Sequence, residues 1–150
     1  MSNIPRFAAY AAAFEKAYES DDWSSLEPYF TAGAVYDAGM AEHLGGRIEG
    51  RDAIFAHFKR VLDGFDRRFA SRDLELIEGP SEAGATVRIK GSAIYRAEGV
   101  PDLVLTLEER ATFDGDRIAH LEDRYDDAMQ AQAAAYIEAH GEKLGLVLGG

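Results

Sequence analysis

The sequence predicts an α+β domain, with helices first, sequential antiparallel strands next and a terminal helix last. Three observations predict it. Up to Phe65, apolar residues recur at three- and four-residue spacing. From Phe69 to Asp126 the period changes to two, in segments separated by turn signals. After Asp126 the chain becomes alanine-rich. Helices segregated from a run of strands is the α+β pattern.

Pro5 to Ser20 reads as a helix, since proline suits a first turn where its missing N–H is not needed. Phe7, Tyr10, Ala11, Phe14, Ala17 and Tyr18 form one stripe, with Glu15, Lys16 and Glu19 off it. A short helix is expected over Ser24–Phe30, with Trp23 and Leu26 packing, and a short strand over Ala34–Ala38. Gly45, Gly46 and Gly50 punctuate a loop. A third helix is expected from Arg51 to Phe65, burying Ile54, Phe55, Phe58, Val61 and Leu62. The predicted long strands are Phe69–Ile77, Thr86–Arg96, Leu103–Phe113 and Arg117–Asp126. Gly79-Pro80 with Gly84, Gly99 with Pro101, and Asp114-Gly115-Asp116 separate them, the last being a strong hairpin signal. A terminal helix is expected from Ala128 to Leu146, weakened or ended at Gly141. No repeat or linker divides the 150 residues, so one domain is expected.

Composition narrows function. With 16 Lys and Arg against 27 Asp and Glu, the formal charge is −11. An acidic chain repels phosphate backbones and anionic membrane surfaces, so neither nucleic acid nor membrane is an expected partner. No cysteine is present, which removes disulfides, thiolate metal sites and thiol nucleophiles, and is compatible with a reducing cytoplasm. Met1 to Lys16 lacks the basic stretch and apolar run of a secretory leader, and no stretch has the length of an apolar membrane helix. His43, His57, His120 and His140 lack metal-ligand spacing, so no metal is assigned. The Gly45–Gly50 segment lacks the glycine order and preceding long strand of a dinucleotide loop, and no cofactor is expected.

Alternation along the strands singles out three acids. Glu109 shares a face with Leu103, Leu105, Leu107, Ala111 and Phe113 and is the one charge on it, unless a bulge reverses the parity. A carboxylate there is paired, raised in pKa or functional. Asp123 shares a face with Ala119, Leu121 and Tyr125; the alternative is a strand-end ion pair with Arg96 or Arg124. Asp37 shares a face with Val35, expected to point to the core; the alternative is a turn or cap. Tyr10, Phe14 and Tyr18 stand one helical turn apart, as core or as pocket lining, and His43 lies in the loop after Asp37. A buried tyrosine hydroxyl wants a partner that an inward carboxyl would supply.

The segments Asp21-Asp-Trp-Ser-Ser-Leu-Glu-Pro-Tyr-Phe30, Ala34-Val-Tyr-Asp37 and Gly50-Arg-Asp-Ala-Ile54 resemble the nuclear transport factor 2-like superfamily, in its SnoaL-like and ketosteroid isomerase-like branch. The resemblance implies a cystatin-like cone, a curved sheet wrapped around N-terminal helices with a cavity inside, and a homodimer; the terminal helix is an extension. It puts Asp37 at the position of the isomerase general base and Glu109 at that of its protonated acid. Phe14 falls where that family has its oxyanion tyrosine, with Tyr10 and Tyr18 one turn away. Asp123 resembles the last-strand acid of SnoaL-type cyclases, without the neighbouring tryptophan.

Two functions are therefore expected candidates. One is a cofactor-independent isomerase, cyclase or lyase, with Asp37 as base, Glu109 as neutral donor and Asp123 as alternative acid–base group, acting on a compact apolar carbonyl or hydroxyl compound. Tyr10, Phe14, Tyr18, Trp23, His43 and Tyr125 would line its pocket. The other is a non-catalytic binder or dimeric scaffold of the same fold. Val104 and Ile94 on the outer sheet face mark the expected dimer contact.

Overall fold

The computed structural model describes residues 2–40 and 46–147. Helix α1 spans Ile4–Ser20 and ends where Asp21 turns left-handed at φ 62°. A 3-10 turn, Trp23–Tyr29, leads into strand β1, Phe30–Asp37. Strand β2 is Arg47–Glu49 and helix α2 is Arg51–Gly64. A short 3-10 turn, Asp66–Arg68, precedes β3, Ser71–Ala83. Strands β4, Thr86–Arg96, β5, Leu103–Asp114, and β6, Arg117–Arg124, follow, and helix α3 is Asp127–Leu144. One six-stranded sheet has the order β2-β1-β6-β5-β4-β3. Its pairs are antiparallel except β1 with β6, which run parallel.

Both early helices present apolar stripes to the concave sheet face. α1 buries Phe7, Tyr10 and Ala17; α2 buries Ile54, Phe55, Phe58 and Leu62. Phe30, Leu26, Ile54, Ile118, Leu121 and Val87 are the largest fully buried side chains. Each contributes on the order of 1.5–3 kcal/mol by leaving water. A second apolar cluster joins Phe65, Phe69, Tyr95, Leu103 and Leu105 to Met129, Ala133 and Tyr136 of α3. Here β5 runs beyond the end of β6, and α3 covers the exposed stretch. The Thr106 N–H meets Met129 Sδ at 3.3 Å, and the Tyr136 hydroxyl donates to the Pro101 carbonyl at 2.7 Å. Asp126 caps α3 through the Met129 N–H at 2.7 Å. Gly141 stays inside the helix, which ends instead at left-handed Gly145, φ 69°.

Several boundaries differ from expectation. The second helix is a 3-10 turn, and β1 begins at Phe30 rather than Ala34. Strand β2 is too short to carry a period. β3 continues through Gly79-Pro80 to Ala83, with register irregularities on either side of Glu78. It is an edge strand, where a proline without an N–H is tolerated. In β1 the parity is reversed: Ala34 and Tyr36 are buried, while Val35 and Asp37 face outward. The register shifts between Phe30 and Val35, and thereafter Tyr36 pairs with inward Leu121 and Asp37 with outward Glu122. Burying the tyrosine ring removes more surface from water than burying Val35 would.

Candidate functional site

A cavity of about 370 Å³ lies where the two apolar clusters meet, between α1, α2 and the concave sheet face. Its walls are mostly apolar or aromatic, with carboxyl groups at two places.

The first place is the β5–β6 pair. Glu109 sits on the inner face of β5 and pairs in register with Asp123 of β6. Side chains so opposed are close neighbours on one face. From β1, the Tyr36 hydroxyl donates to Asp123 Oδ2 at 2.5 Å. Tyr36 and Asp123 are each 8% exposed. Asp123 is also hydrogen-bonded to the Glu109 carboxyl, and among the described residues its buried Oδ1 meets no other donor. The chain after β1 packs tightly here: a Cβ on Gly39, which has φ 71°, would stand 1.7 Å from the Asp123 carbonyl oxygen.

Electrostatics separates the two acids. Burial raises the Glu109 pKa well above the ordinary value, and the negative charge of Asp123 raises it further. Burial raises Asp123 as well, opposed by the Glu109 carboxyl and the Tyr36 hydroxyl. The two therefore titrate as a pair, in which Glu109 is the carboxyl pushed furthest towards its neutral form. Tyr10 and Tyr125 also line the cavity; burial and the acids raise their pKa values, so both remain neutral donors. His57 of α2 takes a hydrogen bond at Nδ1 from Arg60 at 3.0 Å. Arginine only donates, which leaves the ring proton on Nε2. Burial and Arg60 lower its pKa, so it is neutral.

The second place is Asp66, 7% exposed. It accepts from the Tyr95 hydroxyl at 3.1 Å and faces Arg72 Nε at 3.5 Å. Burial raises its pKa to about 6. Arg72 also holds Glu15 of α1 through two hydrogen bonds, 2.9 and 3.2 Å.

Of the residues expected at the site, the structure brings Glu109, Asp123, Tyr10, Phe14 and Tyr125 onto one cavity. Asp37 is not among them. It lies on the outer face, accepting from His120 Nε2 at 2.6 Å and facing Arg47 at 3.5 Å. Asp37, His120 and Glu122 are close enough to suggest a metal site. Arg47 and Arg124, the latter 2.8 Å from Glu122, already balance the acids, so the group is an ion-pair network. Trp23 is buried in the core beside Phe14 and Phe58, its indole N–H donating to Asp21 at 3.2 Å. Tyr18 stands off the cavity under the Arg72 guanidinium, 4.6 Å from ring to charge. His43 lies outside the described residues. Sequence reasoning missed Tyr36, Asp66, Tyr95 and Arg72.

No protein-family model and no curated protein matches the chain. Solved structures do. A nuclear transport factor 2-like protein of unknown function from Burkholderia pseudomallei is 21% identical, at TM-score 0.67 over 91% of this chain and 98% of that one. A protein described as a SnoaL-like polyketide cyclase, from Shewanella denitrificans, is 17% identical at TM-score 0.62 over 88% and 96%. A ketosteroid isomerase-like protein from Catenulispora acidiphila, in complex with trimethylamine, is 19% identical at TM-score 0.59 over 83% and 92%. At such identities the likeness establishes the fold. The chain has the nuclear transport factor 2-like α+β cone fold, closed by a C-terminal helix, and solved structures of that fold include a small-molecule complex. No described helix is long and apolar enough to cross a membrane.

Proposed function

We propose that the protein binds a compact, largely apolar carbonyl or hydroxyl compound and moves a proton on it without a cofactor, as an isomerase, cyclase or lyase does. One observation carries this reading: Glu109 and Asp123 face each other in the cavity and are hydrogen-bonded to one another, so that a proton lies between two buried carboxyl groups. Asp123 takes a proton from the carbon beside the carbonyl. The C–H electron pair forms the C=C bond, and the carbonyl π pair moves to oxygen. The neutral Glu109 carboxyl hydrogen-bonds that oxygen as charge develops there. Where the compound carries a second C=C bond beyond that carbon, the oxygen pair then re-forms the carbonyl, the new C=C bond shifts into conjugation with it and the π pair of the second bond takes the proton back from Asp123 at its far carbon, an isomerisation with all atoms conserved. The Tyr36 hydroxyl holds Asp123 in place. Asp37 has no part, since it lies on the other face of the sheet.

Phe14 favours a second reading, a non-catalytic binder, because it carries no hydroxyl at the position where the isomerases have one. Two measurements in sequence separate the readings. Enones, polycyclic ketones and epoxides are screened by thermal shift, because a ligand specific to the folded state raises its stability. Binding ketones are then incubated in heavy water, and deuterium uptake beside the carbonyl is followed by NMR. Uptake that Asp123→Asn abolishes supports the base; binding without uptake leaves the binder.

The outer sheet face supports a homodimer, with Val104 44% exposed amid hydrogen-bonded pairs such as Ser92–Thr106 and Thr86–Thr112. Light scattering that gives a monomer mass at micromolar concentration would defeat it. The lack of cysteine supports a cytoplasmic location.

A further inference from the structure

The cavity is not electrically balanced. Among the described residues, Glu15, Asp66, Arg72, Glu109 and Asp123 are the charged or acidic side chains that border it from the inner face. Glu75 borders it too, but pairs in register with Ser92, whose hydroxyl meets Thr106 on the outer face, so its side chain points away. Counting Glu15, Asp66 and Asp123 as negative, Arg72 as positive and Glu109 as neutral leaves a net charge of −2. Arg72 is the one cation, and Glu15 already occupies it with two hydrogen bonds. Asp66 is more than nine-tenths buried; it accepts from Tyr95 and shares the Arg72 charge, at 3.5 Å, with Glu15. Phe7, Tyr10, Phe14, Phe58, Tyr95 and Tyr125 supply ring surfaces around these acids. Ring faces attract cations, more strongly where water is excluded.

We propose, resting on the pocket reading above, that the ligand is cationic: a ring-bearing carbonyl or hydroxyl compound that carries an ammonium group. Its cation sits beside Asp66 and Glu15 among the aromatic rings, and its oxygen lies beside Glu109 and Asp123. An anionic ligand would face two unbalanced negative charges. A neutral one would bind the rings and leave the charge unmet.

Three probes on one scaffold test this, the first two of matched shape. Each is an acetylnaphthalene substituted on the far ring: with trimethylammoniomethyl, with its neutral carbon isostere neopentyl, or with anionic carboxymethyl. Affinities are measured by calorimetry on the full chain. The cationic probe is expected to bind at least about tenfold tighter than the neopentyl one, since a paired charge and ring contacts in a desolvated site are together worth that much. The carboxymethyl probe is expected to bind weakest. Asp66→Asn and Glu15→Gln should each narrow the gap between cationic and neutral probes, whereas Glu109→Gln should leave it in place. Should Asp66→Asn fail to fold, Glu15→Gln and the wild-type comparison still decide. If the neopentyl or carboxymethyl probe binds as tightly as the cationic one, the inference falls and the pocket reading stands. Silence from all three overturns both.

Discussion

Replacing Glu109 by glutamine should remove a pH-dependent cost that wild type carries. Glutamine has nearly the shape of a neutral glutamic acid and can still donate a hydrogen bond towards Asp123. In wild type, burial and the Asp123 charge hold the folded pKa of Glu109 well above its ordinary 4.5. The folded state then binds more protons than the unfolded state throughout the window between those two values. Stability contributed by this group is therefore fully present below 4.5 and is lost as pH rises towards the folded pKa. One proton is worth about 1.4 kcal/mol per pH unit, so wild type should lose ground to Glu109→Gln at up to that slope from the upper end of the ordinary carboxylate range to neutrality. Asp123 is raised by burial in both proteins, so the difference between them reports Glu109 together with its coupling to Asp123. Urea unfolding of both proteins at a series of pH values measures it. Near neutrality Glu109→Gln should be at least as stable as wild type. A difference that stays flat with pH, or that runs the other way, would mean Glu109 is ionised in the fold.

Other perturbations test neighbouring parts. Tyr36→Phe deletes the hydroxyl on Asp123 Oδ2 and leaves a buried carboxyl with no donor from β1; unfolding free energy should fall by about 1–3 kcal/mol. Asp66→Asn removes a group raised from 3.8 to about 6, whose stabilisation is present below 3.8 and lost as pH climbs through 6. The stability of the variant should accordingly vary less with pH in that window, by a difference on the order of 3 kcal/mol across it. A parallel pH dependence in wild type and variant would contradict the burial of Asp66. Asp37→Asn should leave ligand affinity and deuterium uptake within about twofold of wild type, because the side chain faces away from the cavity. A loss of uptake there would restore Asp37 to the mechanism.

The long strands were legible because alternation repeats over enough residues to tell two faces apart. In β5, Leu103, Leu105 and Leu107 set the parity that puts Glu109 on the inner face, and β6 does the same for Asp123 through Leu121. In β1 the signal is short and ambiguous, since Ala34, Val35 and Tyr36 are all apolar or aromatic and either parity buries something. The register shift after Phe30 then decides for Tyr36, a tertiary effect with no mark in the local sequence. The same residues explain why Asp37 was expected inside and Tyr36 was overlooked. Asp66 escaped notice because it sits in a 3-10 turn without a period, beyond the end of α2. Arg72 stands on an exposed edge strand, where a charged side chain looks solvated; its inward direction follows from its pairing with Tyr95. A clue was present for Tyr36, since an inward acid on β6 needs a donor from the strand beside it.

The protonation of the facing acids is the centre of the account, and carboxyl carbon NMR titration reads it directly. The Glu109 and Asp123 resonances, assigned through Glu109→Gln and Asp123→Asn, are followed from acid to neutral pH. Near neutrality Glu109 should still show the shift of a protonated acid while Asp123 shows that of a carboxylate. In Asp123→Asn, Glu109 should titrate at lower pH than in wild type, because a neighbouring negative charge has gone. Two carboxylates that both ionise in the ordinary range, unaffected by each other's removal, would contradict the shared proton and the chemistry proposed from it.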